Sequence, residues 1–304
     1  MVQQAPMAAM ATTIARRRRD EERTDWVGYV FVAFFTIPFL LFNIAPIFFG
    51  AYVAFTKWGI FGKPKWVGLQ NFRDAFGDEF VAIAFKNTVL YGLIIVPCVV
   101  VIGLAFAIYV HQRWPLSGLA RALFFSPYVV SATVIGLVWV WMLDTQFGLI
   151  NHYLGYLGID DVPWLTSTRW SLFGVSIASV WWDLGLAFVL LLAALQDVPR
   201  DLHEAASVDG ANHWQRLWLV ILPQLRPVIS LVVTLQMISS LRIFSQIYVM
   251  TNGGPASTSS SVIYYMYTTA IQRQLFGYAS AVAMLLFLMI IAMTIILRLV
   301  VRER

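Results

Sequence analysis

The chain has 304 residues, of which 60% are hydrophobic and 12% charged, with a mean hydropathy of +0.73. Soluble domains carry about 25% charged and about 45–50% apolar residues, so this composition excludes a soluble globular enzyme, a disordered chain and a nucleic-acid-binding domain. The net charge of +5 does not point to nucleic acid, because the basic residues sit at the ends of apolar runs, as in membrane proteins.

Residues 1–25 read as a polar cytoplasmic tail, with Arg16 to Arg19 followed by Asp20, Glu21 and Glu22. The apolar run behind it, Trp26 to Thr56, carries no charge. It is longer than a signal-peptide core of about 7–15 residues, and no A-x-A-like site ends it. It predicts an uncleaved first membrane helix, kinked by Pro38 and Pro46. Three further runs are free of charge: Asn87 to Val110, Ala122 to Leu143 and Gln274 to Leu297. Two more are interrupted once each, Trp170 to Gln196 by Asp183 and Pro227 to Met250 by Arg242. Each reaches the roughly 20 residues that span a bilayer as a helix. They are too long and too uniformly apolar for barrel strands. Residues 26–304 therefore predict one all-α, polytopic domain of six transmembrane helices.

With the N-terminus inside, the inner segments hold thirteen Lys and Arg and the outer loops seven. The outer set is Lys57, Lys63, Lys65, Arg73, Lys86, Arg169 and Arg273. The excess of inner positive charge places both termini in the cytoplasm of a multi-pass inner-membrane (plasma-membrane) protein.

Catalytic and metal signatures are missing. There is no G-x-x-x-x-G-K-[ST], G-x-G-x-x-G or G-x-S-x-G, and His203-Glu204 does not continue into H-E-x-x-H because position 207 is Ser. The single cysteine, Cys98, cannot form an internal disulfide. No catalytic residue, metal ligand or cofactor of the chain's own is expected.

Residues 195–226 break the apolar pattern on the cytoplasmic side. Pro199 and Asp201 suit a helix start. Leu202, Ala205, Ala206 and Val208 supply a small apolar face, and Gly210 suits a left-handed C-cap. Ala211 to Ile221 predicts a second helix with Trp214, Leu217, Trp218 and Ile221 on one side, stopped by Pro223 and Pro227. Two readings fit. The segment is an interfacial amphipathic element lying in the headgroups, or it docks into a groove on a cytoplasmic partner. The small residues Ala205, Ala206 and Gly210 favour docking, since they let a partner approach the backbone.

Glu204-Ala205-Ala206, then Gly210, then Val220-x-Leu222-Pro223, resembles the EAA-x3-G-x9-I-x-L-P motif with valine in place of isoleucine. That motif belongs to membrane subunits of binding-protein-dependent ABC importers, a MetI-like fold. Three further segments resemble the MalF-like sugar permeases among them: Trp66 to Phe72 (WVGLQNF), Phe124 to Ser131 (FFSPYVVS) and Thr251 to Pro255 (TNGGP). The resemblance implies that Glu204, Ala205, Ala206, Asp209, Gly210, Leu222 and Pro223 form a coupling loop seated on an ATPase subunit. It implies a second, homologous permease subunit, two copies of a P-loop ATPase that bind the ATP and Mg, and an extracytoplasmic solute-binding protein. The transported solute is then a sugar, oligosaccharide or related polyol.

Intramembrane polar residues are candidates for the solute pathway. Gln236, Ser239 and Ser240 share one helix face by their spacing. The family resemblance places the lining near Trp182, Asp183, Leu186, Gln236, Ser239, Ser240 and Ile243. The serines also suit interhelical packing. Asp183 and Arg242 either pair with each other, or Arg242 snorkels outward. The outer loop 144–170 is expected to help receive the binding protein. A glycerol-phosphate importer, with Arg242 as ligand, is the nearest alternative. A stand-alone secondary transporter would need repeats and midplane carboxylates, and Asp183 is the only acid within the spans.

Overall fold

A computed structural model describes residues 26, 28–60, 62–112 and 115–302. The expected polar tail 1–25, Arg113 and Arg304 lie outside the described residues. The chain divides into two units, Met1–Val53 and Ala54–Arg304.

The first unit is dominated by helix α1, Gly28–Ala54, uncharged along its length. Between Pro38 and Pro46 the helix widens into a π turn, Leu40–Ile44. Each proline removes one backbone donor, and a widened turn lets the ladder continue past the gap.

The second unit begins with a short hairpin, β1 (Thr56–Lys57) antiparallel to β2 (Lys65–Trp66). The WVGLQNF segment has a structural job here. The Asn71 amide at the start of α2 (Gln70–Gly77) donates to the carbonyls of Ala54 and Thr56 at 2.8 and 2.9 Å. Helix α3 (Glu79–His111) follows, longer at both ends than the charge-free run predicted. Next come α4 (Ser117–Val129), α5 (Ala132–Met142), α6 (Leu149–Tyr156), α7 (Ser171–Asp197) and α8 (Arg200–Val208). Helix α9 runs His213–Leu241, and α10 (Ser245–Met250), α11 (Val262–Tyr267) and α12 (Phe276–Arg302) complete the unit.

Among the described residues five helices are long and apolar enough to cross a membrane, or six if the bent pair α4–α5 is one span. That pair covers the expected span Ala122 to Leu143, which is broken rather than continuous. The two halves meet at 102°. Pro127 has no donor for the turn before it, and the Leu123 carbonyl takes the Ser126 hydroxyl instead at 3.2 Å. Val130 is then extended, with ψ 144°. The expected span Pro227 to Met250 is also broken. Helix α9 ends at Leu241, and α10 restarts after a gap at 242–244. Irregular backbone at membrane depth is tolerated where protein or a polar cavity covers it, and both breaks face the cavity described below.

The core is α3 packed along α7. Tyr91, Ile95, Val99 and Val110 meet Val175, Phe188 and Leu191. Apolar lipid offers little hydrophobic drive to helix pairing, so close approach through small residues matters. Gly103 provides one such point: a Cβ there would lie 3.3 Å from the Ala187 Cβ.

Polar side chains on α3 bind the loop at 251–261. The Asn87 amide donates to the carbonyls of Ser257 and Ser260, at 3.0 and 3.1 Å, and the Tyr91 hydroxyl to that of Ser259 at 2.9 Å. The Val262 N–H donates to the Thr88 hydroxyl at 3.0 Å. Just before α3, the Asp78 carboxylate accepts from the Tyr265 and Tyr278 hydroxyls at 2.6 and 2.8 Å and caps Phe80 N–H. Partial burial pushes this carboxyl up, but those hydrogen bonds outweigh it and hold it below the usual value.

Candidate functional site

Two regions carry the residues singled out from sequence. The first is a cavity of about 390 Å³ between α7, α9 and the two helix breaks. All seven expected pathway residues line it: Trp182, Asp183, Leu186, Gln236, Ser239, Ser240 and Ile243. Helical spacing aligns Gln236, Ser239 and Ser240, and α7 brings Asp183 opposite them, where Ser239 meets its carboxyl. Both Asp183 (4% exposed) and Gln236 (2% exposed) are out of contact with bulk solvent.

The Gln236 Oε1 is buried with no hydrogen-bond partner. A buried acceptor without a donor is unfavourable and presents a vacant hydrogen-bond position at the wall. Ser240 is engaged locally, its hydroxyl donating to the Met237 carbonyl at 3.0 Å. Arg242 ends α9, is exposed and lines the cavity. It is not among the groups that act on Asp183, so the two do not pair.

Trp182 is tied to the broken helix. Its indole N–H donates to the Val130 carbonyl at 2.9 Å, and its ring packs against Tyr128 with centroids 5.7 Å apart. Gly185, one turn on, permits this approach: a Cβ there would lie 2.7 Å from the Tyr128 Cβ and 3.0 Å from the Phe125 carbonyl oxygen. Tyr128, Phe244 and Gln246 also line the cavity. Tyr128 and Phe244 flank the two breaks, so a straight-helix reading gave no reason to bring them there.

The second region is α8 and its junction with α9. Helix α8 starts after Pro199 and ends as expected at Gly210, which has φ +78°. The Ala211 N–H bonds back to the Ala206 carbonyl and the Gly210 N–H to Ser207, at 2.9 and 3.1 Å. This is the paired C-terminal lock of a Schellman turn. Asn212 and Gln215 then form a reciprocal capping box that opens α9. The two turns leave little freedom in the link between the helices.

Glu204, Ala205, Asp209 and Gly210 lie exposed along α8 and its cap, and Ala206 is buried. The expected apolar face is only partly turned inward, since Ala205 is exposed and Val208 is 88% exposed. Likewise Leu217 is buried while Trp214 and Trp218 are exposed. Leu222 and Pro223 are half-buried. Pro223 and Pro227 do not stop the second helix. Helix α9 runs through both: a π turn at Arg216–Ile221 precedes Pro223, which stands in the first turn of the regular segment that follows, and Pro227 lies inside that segment.

The loop at 144–170 holds a knot around Asn151. Its amide donates to the Thr145 and Val162 carbonyls at 3.1 and 2.9 Å, and its oxygen accepts from the Trp164 indole at 2.8 Å. No group of three or more metal-ligating side chains exists among the described residues.

Comparison with known proteins gives these features a context. Residues 99–304 match the family described as "Binding-protein-dependent transport system inner membrane component". The trehalose/maltose transport system permease protein MalF of Thermococcus litoralis is 33% identical over 274 residues, covering 89% of this chain and 92% of the relative. The probable ABC transporter permease protein YesP of Bacillus subtilis is 31% identical over 290 residues, covering 93% and 92%. In the crystal structure of a bacterial ABC transporter that imports the acidic polysaccharide alginate, one chain superposes with a TM-score of 0.83. It shares 22% identity and covers 94% of this chain and 99% of that one, a likeness of fold. On the match at residues 99–304, over two thirds of its length, the chain belongs to the family of inner-membrane components of binding-protein-dependent transport systems.

Proposed function

We propose that this chain is the permease subunit of an ATP-driven importer that passes a neutral sugar, oligosaccharide or polyol through the cavity at Asp183 and Gln236. The observation that carries the solute class is the vacant acceptor on Gln236 beside a second acceptor, Asp183. Hydroxyl groups are donors that satisfy both. A Trp182–Tyr128 aromatic wall supports the same reading, since aromatic faces suit apolar sugar faces. The names of relatives agree: alongside the trehalose/maltose permease stands a probable starch degradation products permease, AmyD, of Thermoanaerobacterium thermosulfurigenes.

The assembly is the one the family resemblance implies. A second permease subunit completes the pathway, two P-loop ATPase subunits hold ATP and Mg and seat α8, and a solute-binding protein delivers from outside, at loop 144–170. Both termini are cytoplasmic. Conformational drive comes from ATP's different affinity for the two states of the assembly, which α8 transmits.

Arg242 on the cavity wall favours a second reading, a phosphorylated solute such as glycerol phosphate, because guanidinium groups bind phosphate well. The two acceptors repel such an anion, and the neutral solute is the better fit.

The test is capture of the tagged chain from solubilised native membrane, with wild type beside Gly210→Trp, followed by mass spectrometry. Recovery of a second permease and a P-loop ATPase with wild type, and loss of the ATPase alone in the variant, is the expected result. Recovery of the lone chain in both samples overturns the coupling role.

A further inference from the structure

A second cavity, of about 290 Å³, opens between the C-terminal end of α3, the end of α7 and the start of α9. Its polar wall is His111, Gln112, His213 and Arg216, and no carboxylate is among the described residues that line it. It lies at the α8 end of the molecule, remote from the solute cavity's residues.

Arg216 sets the chemistry. One terminal nitrogen of its guanidinium donates to the Ser207 hydroxyl on α8 at 3.0 Å. Its Nε is buried and has no partner. A guanidinium N–H withdrawn from water without an acceptor is unfavourable, and an oxyanion is the group that best satisfies it. The His213 imidazole, on the same wall and the same helix, adds a second N–H donor, and a tetrahedral phosphoryl group offers an oxygen to each.

We infer that this cavity binds a phosphate-type oxyanion, and that the bound anion fixes Arg216 and through Ser207 the seating of α8. The source is either the headgroup of an anionic phospholipid, as basic pockets at helix ends bind, or a soluble phosphate ester. The regulatory half of the inference rests on the proposed coupling role of α8. The binding half does not.

The experiment uses the full chain in nanodiscs of phosphatidylcholine alone, or of phosphatidylcholine with phosphatidylglycerol, and titrates inorganic phosphate into each. Thermal unfolding midpoints and retained phosphatidylglycerol, by native mass spectrometry, are the readouts. Wild type is compared with Arg216→Gln, and with His213→Gln, which leaves the Arg216–Ser207 bond in place.

Stabilisation of wild type, with apparent affinity weakened about tenfold in both variants, is the expected result. Stabilisation by phosphatidylglycerol that millimolar phosphate does not displace identifies the lipid source. Stabilisation by phosphate in pure phosphatidylcholine identifies the soluble one. No response of wild type to either probe, or an equal response in the variants, overturns the site. A failed coupling role shows separately, in ATPase capture by Gly210→Trp, and leaves a positive binding result standing.

Discussion

The indole of Trp182 on α7 closes the break between α4 and α5 by donating to the Val130 carbonyl, 52 residues earlier in the chain. A carbonyl freed by a broken helix needs a donor at membrane depth, and here one is supplied by a wall of the proposed solute cavity. Trp182→Phe keeps the ring and removes the donor. It is expected to lower the stability of the purified chain by about 1–2 kcal/mol and to reduce transport, read by thermal unfolding in detergent and by uptake in cells. An unchanged unfolding midpoint would show that the carbonyl is satisfied without Trp182.

Gly185→Ala tests the contact beside it. The added methyl meets the Tyr128 Cβ and the Phe125 carbonyl, and overpacking of this kind costs about 1–3 kcal/mol. Gly118→Ala, in α4 where a Cβ meets nothing within 4 Å, should be neutral or slightly stabilising. Equal unfolding midpoints for the two variants would contradict the tight packing.

Gln236→Leu should separate stability from function. Removing the vacant acceptor relieves a penalty of about 1–3 kcal/mol, so the variant should unfold at a higher temperature than wild type. It should also lose most uptake of its sugar. A variant that transports normally rules out Gln236 as a solute ligand.

Asp78 predicts acid sensitivity at the N-terminal end of α3. Its carboxyl lies below the usual value when folded. The charged form is therefore favoured by folding, and the contribution is complete above the unfolded value of about 3.9. It is lost as pH falls through the lower folded value. Asp78→Asn should be less stable than wild type at neutral pH, and the gap should shrink below about pH 4. A gap that stays constant with pH would assign the effect to packing alone.

Asn212→Ala removes the side chain that caps α9 and should cost about 0.5–2 kcal/mol. ATPase capture should weaken with it, because the orientation of α8 depends on this junction. Full capture by the variant would mean that the Gly210 turn alone sets that orientation.

Local chemistry made much of this legible in the sequence. The periodicity of α9 places Gln236, Ser239 and Ser240 together without reference to any other element, and φ +78° at Gly210 is what a glycine read as a left-handed C-cap predicts. The breaks were not legible, because the partner that makes the Val130 break tolerable is a side chain on another helix. Pro223 and Pro227 misled because helix-breaking prolines are tolerated in membrane helices, where neighbouring groups re-satisfy the freed carbonyls, and α9 continues past both. Asn71, Asn87 and Asn151 look like isolated polar residues in a linear reading, and each turns out to hold main-chain carbonyls of a separate segment.

The hold of α3 on the loop at 251–261 also has a consequence for biosynthesis. Asn87, Thr88 and Tyr91 leave the ribosome 168 to 174 residues before the groups they bind. At about 5–20 residues per second, the polar stripe of α3 waits for tens of seconds or less before its partners exist. During that interval the nascent helix must be held where water or the insertion machinery can solvate the stripe. This end of the protein can therefore reach its final structure only after residue 262 has been made and threaded into the bilayer.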